Sequence, residues 1–237
     1  MRYCIIFLTI ILSGLCFGQD SATFSGNMSE RKHRIAVARQ SISELKDGVL
    51  LVRLDFQKKR IDYYTQYDNL REAEKIEAKQ TKMNREIIDA FNTHFDFCQI
   101  VYFAQEDSRK LLNGDLDSIV FYNNNYEQDP TIDIGDKKWL VAEFGFIEQD
   151  ITTYYGGTSH FPFNEEPSVL ANEYGEKKNN ISALVIRNIK FQQMRDPFPY
   201  YASYNFFGLV KKRYRIPVKK LNDRLHRYFS SNHISGE

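Results

Sequence analysis

The chain mixes short, continuous apolar runs with longer stretches in which apolar residues recur every three or four positions. Val49 to Phe56 is the clearest run of the first kind. Such a nearly unbroken run suits a central strand covered on both faces better than an exposed edge. Arg53 and Asp55 sit at its end. Gln99 to Ala104, Ser118 to Tyr122, Trp139 to Phe146 and Ile181 to Ile186 read as further strands. Asn188 turns the last into a sixth, Lys190 to Met194, as a hairpin.

Between the first two strands, residues 58–95 carry apolar positions close to helical spacing, among them Ile61, Leu70, Ile76, Ile87 and Phe91. Asp68 is a candidate cap, so the pattern predicts two helices meeting near residue 68. Opposite charges three and four apart over residues 71–86 support an exposed helix face. Asp107 is placed to cap a short helix over 108–112, ended by Asn113-Gly114. Val218 to Phe229 is amphipathic, with Pro217 at its first turn. Residues 33–46 read as a weaker helix before the Asp47-Gly48 turn, and the small, polar residues 19–32 as a flexible leader.

These elements predict an α/β or α+β protein. Its centre is a mixed sheet of about five to six strands, with a long helical excursion between the first two strands and a C-terminal helix. Residues 33–237 are expected to form a single globular domain. No internal repeat is visible.

The N-terminus changes the picture. Arg2 is followed by an uncharged stretch to Gln19, with an apolar centre at Ile5 to Leu12 and small residues at Cys16 and Gly18. That order of parts predicts a secretory signal peptide over residues 1–18, cut before Gln19. The apolar run is shorter than the roughly 20 residues a spanning helix needs and breaks at Ser13-Gly14. A lipid anchor on Cys16 is the other reading, but Leu15 before it is bulkier than that processing favours. The expected destination is the periplasm or the exterior, with no transmembrane anchor after cleavage.

Loss of Arg2 leaves equal numbers of basic and acidic residues, since the full chain has 32 against 31. A balanced chain argues against nucleic acid as a partner. Two of the three cysteines, Cys4 and Cys16, leave with the signal, so Cys98 stays alone and no internal disulfide is expected.

Candidate chemistry is sparse. Cys98 is the one thiol, with His94 four residues before it, but no second cysteine offers a redox pair. The histidines lack zinc-site spacing, and the Asp115/Asp117 and Asp129/Asp133/Asp136 groups read as turns. Gly156-Gly157 lacks a phosphate-loop lysine, so no cofactor is expected. The most unusual feature is Asp196-Pro197-Phe198-Pro199-Tyr200-Tyr201 followed by Tyr204. Tyr154 and Tyr155, in the long loop 150–180, would join it if that loop folds back. Phe198, Tyr200, Tyr201, Tyr204, Tyr154 and Tyr155 are therefore the candidate binding residues, since rigid rings give contact area at low entropic cost. The plainer reading is that these rings plug the core.

Leu45 to Leu54, Phe91 to Cys98, Ala183 to Ile186 and Asp196 to Tyr201 together resemble a family of uncharacterised exported proteins of Gram-negative bacteria. The resemblance covers most of the mature chain and implies export. It brings no activity, cofactor or site residue with it. The leading expectation is a non-enzymatic periplasmic or secreted protein that binds an envelope protein or peptide. A cysteine-dependent enzyme at Cys98 on a thioredoxin-like scaffold, and a structural subunit assembling through the charged helix, stay open beside it.

Overall fold

A computed structural model of the chain describes residues 20–148, 181–204 and 213–234. The expected signal peptide and the 150–180 loop, with Tyr154 and Tyr155, lie outside the described residues. The elements are α1 (Asp20–Asp47), β1 (Val49–Leu54), α2 (Lys58–Gln66), α3 (Leu70–His94), β2 (Gln99–Ala104), α4 (Ser108–Leu112), β3 (Trp139–Phe146), β4 (Ser182–Arg187), β5 (Tyr201–Ser203) and α5 (Arg215–Ile234). The five strands form one mixed sheet in the order β2-β1-β3-β4-β5. β1 pairs parallel with β2 and β3, and β3-β4 and β4-β5 are antiparallel. The α+β class, the helical excursion and the closing helix are as the apolar pattern predicts.

The alternation of strand side chains builds two cores, one on each sheet face. Leu50, Val52 and Leu54 of β1 face α1, α3 and α5, joining Ile42, Leu45, Phe91, Leu221 and Leu225. Val49 and Leu51 face the other way, toward Leu111, Ile119, Phe121 and Ile134. This two-sided burial is why β1 reads as a continuous apolar run. Gly48 sets its start: a Cβ there would lie 2.2 Å from the Lys138 carbonyl oxygen and 2.6 Å from that of Glu44. Only glycine lets α1, β1 and the approach to β3 meet so closely.

Several elements differ from expectation for identifiable reasons. α1 begins at Asp20, so residues 20–32, expected as a flexible leader, are helical. From Met28 to Val37 nearly every described side chain is exposed, which is why no apolar stripe announces the helix. The α2–α3 break falls where predicted, but Asp68 adopts a positive φ of 57° and Asn69 is the cap, its side chain accepting from Glu72 N. Residues 118–122 do not form a strand of the sheet. Ile119 and Phe121 are buried, but the segment makes only isolated bridges from Tyr122 to Tyr102 and Gln128. The expected sixth strand, 190–194, likewise reduces to one bridge between Arg187 and Gln193. β5 lies instead at Tyr201–Ser203. No described helix is long and apolar enough to cross a membrane.

Candidate functional site

The three parallel strands end on the same side. From there β1 leads through α2 to α3, which packs on the first face, and β2 leads through the turn Gln105–Asp107 to α4, on the second. The chain therefore diverges to opposite faces between the carboxyl ends of β1 and β2. In open sheets that divergence leaves a crevice, and ligands bind there. Two cavities flank the segment Asp55–Gln57, one of about 540 Å³ toward β3 and one of about 570 Å³ toward β2, with Gln80 lining both.

The β3-side cavity is lined by a charged network built from lone charges in apolar strands. Arg53 of β1 pairs with Glu143 of β3 at 2.7 Å, and the other Glu143 oxygen accepts from Arg187 of β4 at 2.5 Å. Arg187 also reaches Glu148 at 2.5 Å and donates to the Phe191 carbonyl at 2.9 Å. Burial alone would lower the Arg187 guanidinium pKa. The hydrogen bond to Glu148 and the charge of Glu143 outweigh it, and the net shift is upward. The Phe191 ring lies 5.9 Å from the Arg53 guanidinium, and Phe191 is held at φ 58°.

The dividing segment is fixed just as firmly. Gln57 has a φ of 53°, a costly conformation for a residue with a Cβ. Asp55 holds it, accepting from Gln57 N at 2.8 Å and from the Gln57 side-chain amide. Asn84 of α3 is fully buried and satisfied: its amide donates to Asp55 O at 2.8 Å and Tyr126 Oη at 3.2 Å, and its oxygen accepts from Gln80 at 3.2 Å. α3 thus pins both the end of β1 and the ring of Tyr126.

The β2-side cavity has an aromatic wall. Phe56, Tyr122 and Tyr126 contact one another with centroids 5.2–5.9 Å apart and planes within 30°. Glu77, Glu106 and Asp107 line the same cavity, with Lys58 as its one lining cation among the described residues. Tyr126 is a third residue with positive φ, 66°. Three of the four non-glycine residues with positive φ among the described residues thus border or brace this crevice.

Of the residues singled out from sequence, Tyr204 alone lines it, beside Arg213 and Tyr214 on the β3 side. Phe198, expected as a binding residue, is fully buried in the first core and presents no surface. Tyr200 and Tyr201 touch with centroids 4.9 Å apart and planes tilted by 55°, and Arg224 lies over Tyr201. Cys98 is a half-buried free thiol packed on the first core, at the amino end of β2, away from the crevice. Burial pushes its pKa up to about 12 against weaker opposing effects from Leu50 and Lys46. No hydrogen bond joins it to His94 among the described residues, and none of their His, Cys, Asp and Glu side chains gather in a group of three fit for a metal.

Sequence reading passed over Gln57, Asn84, Glu143 and Arg187. The available signal was a lone charge inside each of three apolar strands: Arg53, Glu143 and Arg187. No family model, curated protein or solved structure matches the chain.

Proposed function

We propose that this chain is an exported, non-enzymatic binding protein whose ligand occupies the crevice at the carboxyl ends of β1, β2 and β3. The carrying observation is an open cavity on each side of a segment whose geometry is already fixed. Gln57 is held in a strained conformation by Asp55, Asp55 is held by Asn84, and Glu143 joins two arginines. Preset walls lower the ordering cost of binding. Ligand placement at a chain divergence is a regularity of open sheets, applied here by analogy. The residues named supply the chemistry.

Cysteine chemistry fits poorly. Cys98 precedes β2 while the crevice follows it, a separation of about 17–20 Å for a strand of that length. A thiol with so high a pKa is protonated near neutrality. Export rests on Arg2, the apolar run Ile5 to Leu12 and the small residues at Cys16 and Gly18.

The test is thermal unfolding with millimolar panels of amines, carboxylates, amino acids and dipeptides. At least one class is expected to raise the midpoint of the wild type and not that of Gln80→Trp, which places a bulky ring on the wall that both cavities share. No class acting, or one acting equally on both proteins, removes the crevice from consideration. Mass spectrometry of the native protein is expected to find Gln19 at the amino terminus; Met1 retained on cytosolic protein overturns export.

A further inference from the structure

The geometry points to an organic cation, an alkylammonium or guanidinium group, as the ligand of the β2-side cavity. The inference rests on the crevice reading and adds the chemistry of the ligand. Three observations converge on it. The wall is aromatic: Phe56, Tyr122 and Tyr126 lie within 5.9 Å of one another with planes inclined by 9–30°. Aromatic faces carry negative potential and attract cations within about 6 Å. Tyr126 already does so on this molecule, with the Arg85 guanidinium 5.4 Å from its centroid.

Carboxylates share the cavity with the rings. Glu77, Glu106 and Asp107 line it against Lys58. Asp107 is partly neutralised by Lys110 at 2.7 Å, whereas Glu77 and Glu106 have no ion pair among the described residues. Among the side chains that line the cavity itself, acids outnumber the one cation, and Arg85 meets the Tyr126 ring without lining the cavity. An anion would be repelled by both the ring faces and the two unpaired acids, and a neutral ligand would gain nothing from their charge.

The rings are also held in place. The Tyr126 hydroxyl accepts from buried Asn84 at 3.2 Å, and the Tyr122 hydroxyl accepts from Gln128 at 3.1 Å. Tyr126 sits at φ 66°, a strained backbone for a bulky residue, and the strain presents its ring to the cavity. At 570 Å³ the cavity suits a small amine or one side chain of a peptide.

Calorimetry with choline, with its uncharged carbon isostere 3,3-dimethylbutan-1-ol and with Nα-acetyl-lysine methylamide tests this. Choline or the lysine derivative is expected to bind at least about fivefold more tightly than the isostere, the fold expected of one cation–ring contact. Preference for the lysine derivative identifies a peptide side chain as the source; preference for choline identifies a free quaternary amine. Tyr126→Leu is expected to weaken cation binding about fivefold, and Tyr126→Phe to retain it. Should Tyr126→Leu not fold, Glu106→Gln carries the test, since Glu106 is exposed and has no partner to lose among the described residues. Its expected effect is about threefold, shrinking as salt is added. Failure of both choline and the lysine derivative to bind more tightly than the isostere, or cation binding unchanged in both Tyr126→Leu and Glu106→Gln, overturns the inference. If another panel class stabilises the wild type but not Gln80→Trp while both cations fail, the crevice reading stands and the cation falls.

Discussion

At the scale of the residue, position along a strand decides which groups have chemistry available. Cys98 stands where the backbone enters the sheet, packed against the first core, and burial raises its thiol to about 12. Its reactive form is the thiolate, which is scarce at pH 8 in the folded protein. The native protein is therefore expected to label with a thiol reagent at least tenfold more slowly than the urea-unfolded chain, measured at pH 8. Equal rates would mean that this environment is more open than its packing indicates. The sequence marks Cys98 as the one cysteine outside the expected signal peptide and so invites a catalytic reading. What it does not carry is the thiol's surroundings, which come from Lys46 and Leu50, some fifty residues earlier in the chain. Glu143 teaches the converse. It is unremarkable in the sequence, yet it is the common partner of Arg53 and Arg187 because β3 lies between β1 and β4.

At the scale of the element, one side chain locks α5 to the junction between α3 and β2. Asn222 is buried, and its oxygen accepts from the backbone N–H groups of Asp96 and Phe97, each at 3.1 Å. Its amide donates to the Asp96 carboxylate at 2.9 Å, which His226 also meets at 2.8 Å. Asn222→Ala leaves both N–H groups without that acceptor and is expected to cost about 2 kcal/mol in denaturant unfolding. The hydrogen bond from Asn222, then that from His226, hold the Asp96 pKa below its ordinary 3.8. A depressed carboxyl pKa gives stability that is complete above the unfolded value and is lost as the pH falls through the folded one. The acid limb of the stability curve below about pH 4 should accordingly flatten in Asn222→Ala. Element types were legible where periodicity is long, as in α3, where buried positions 73, 76, 84, 87, 88 and 91 keep helical spacing. Residues 118–122 misled because an apolar run reports burial, and Ile119 and Phe121 are buried without joining the sheet ladder. β5 was hidden because a three-residue strand beside Pro199 leaves no periodicity to read.

At the scale of the whole molecule, near-neutral net charge conceals two poles. The segment 105–136 carries eight acidic residues against Arg109 and Lys110, and it covers the second face of the sheet. α5 carries five Lys and Arg against Asp223 and packs on the first face. Charges so separated act locally within a Debye length, about 10 Å at 0.1 M salt. The protein at pH 7.5 and 10 mM salt is expected to be retained by both cation and anion exchangers and to leave each by about 0.3 M salt. Flow-through on either resin would show that the pole facing it is neutralised. Tyr122 has a consequence of another kind. Its N–H bonds to Tyr102 O at 2.8 Å, closing part of the outer edge of β2, while its ring walls the aromatic cavity. The stretch of chain that shapes the pocket is thus also a guard rail. Prying it away would bare a row of backbone groups able to template a foreign strand, so an occupant that presses the ring home also protects the protein from aggregating along that border.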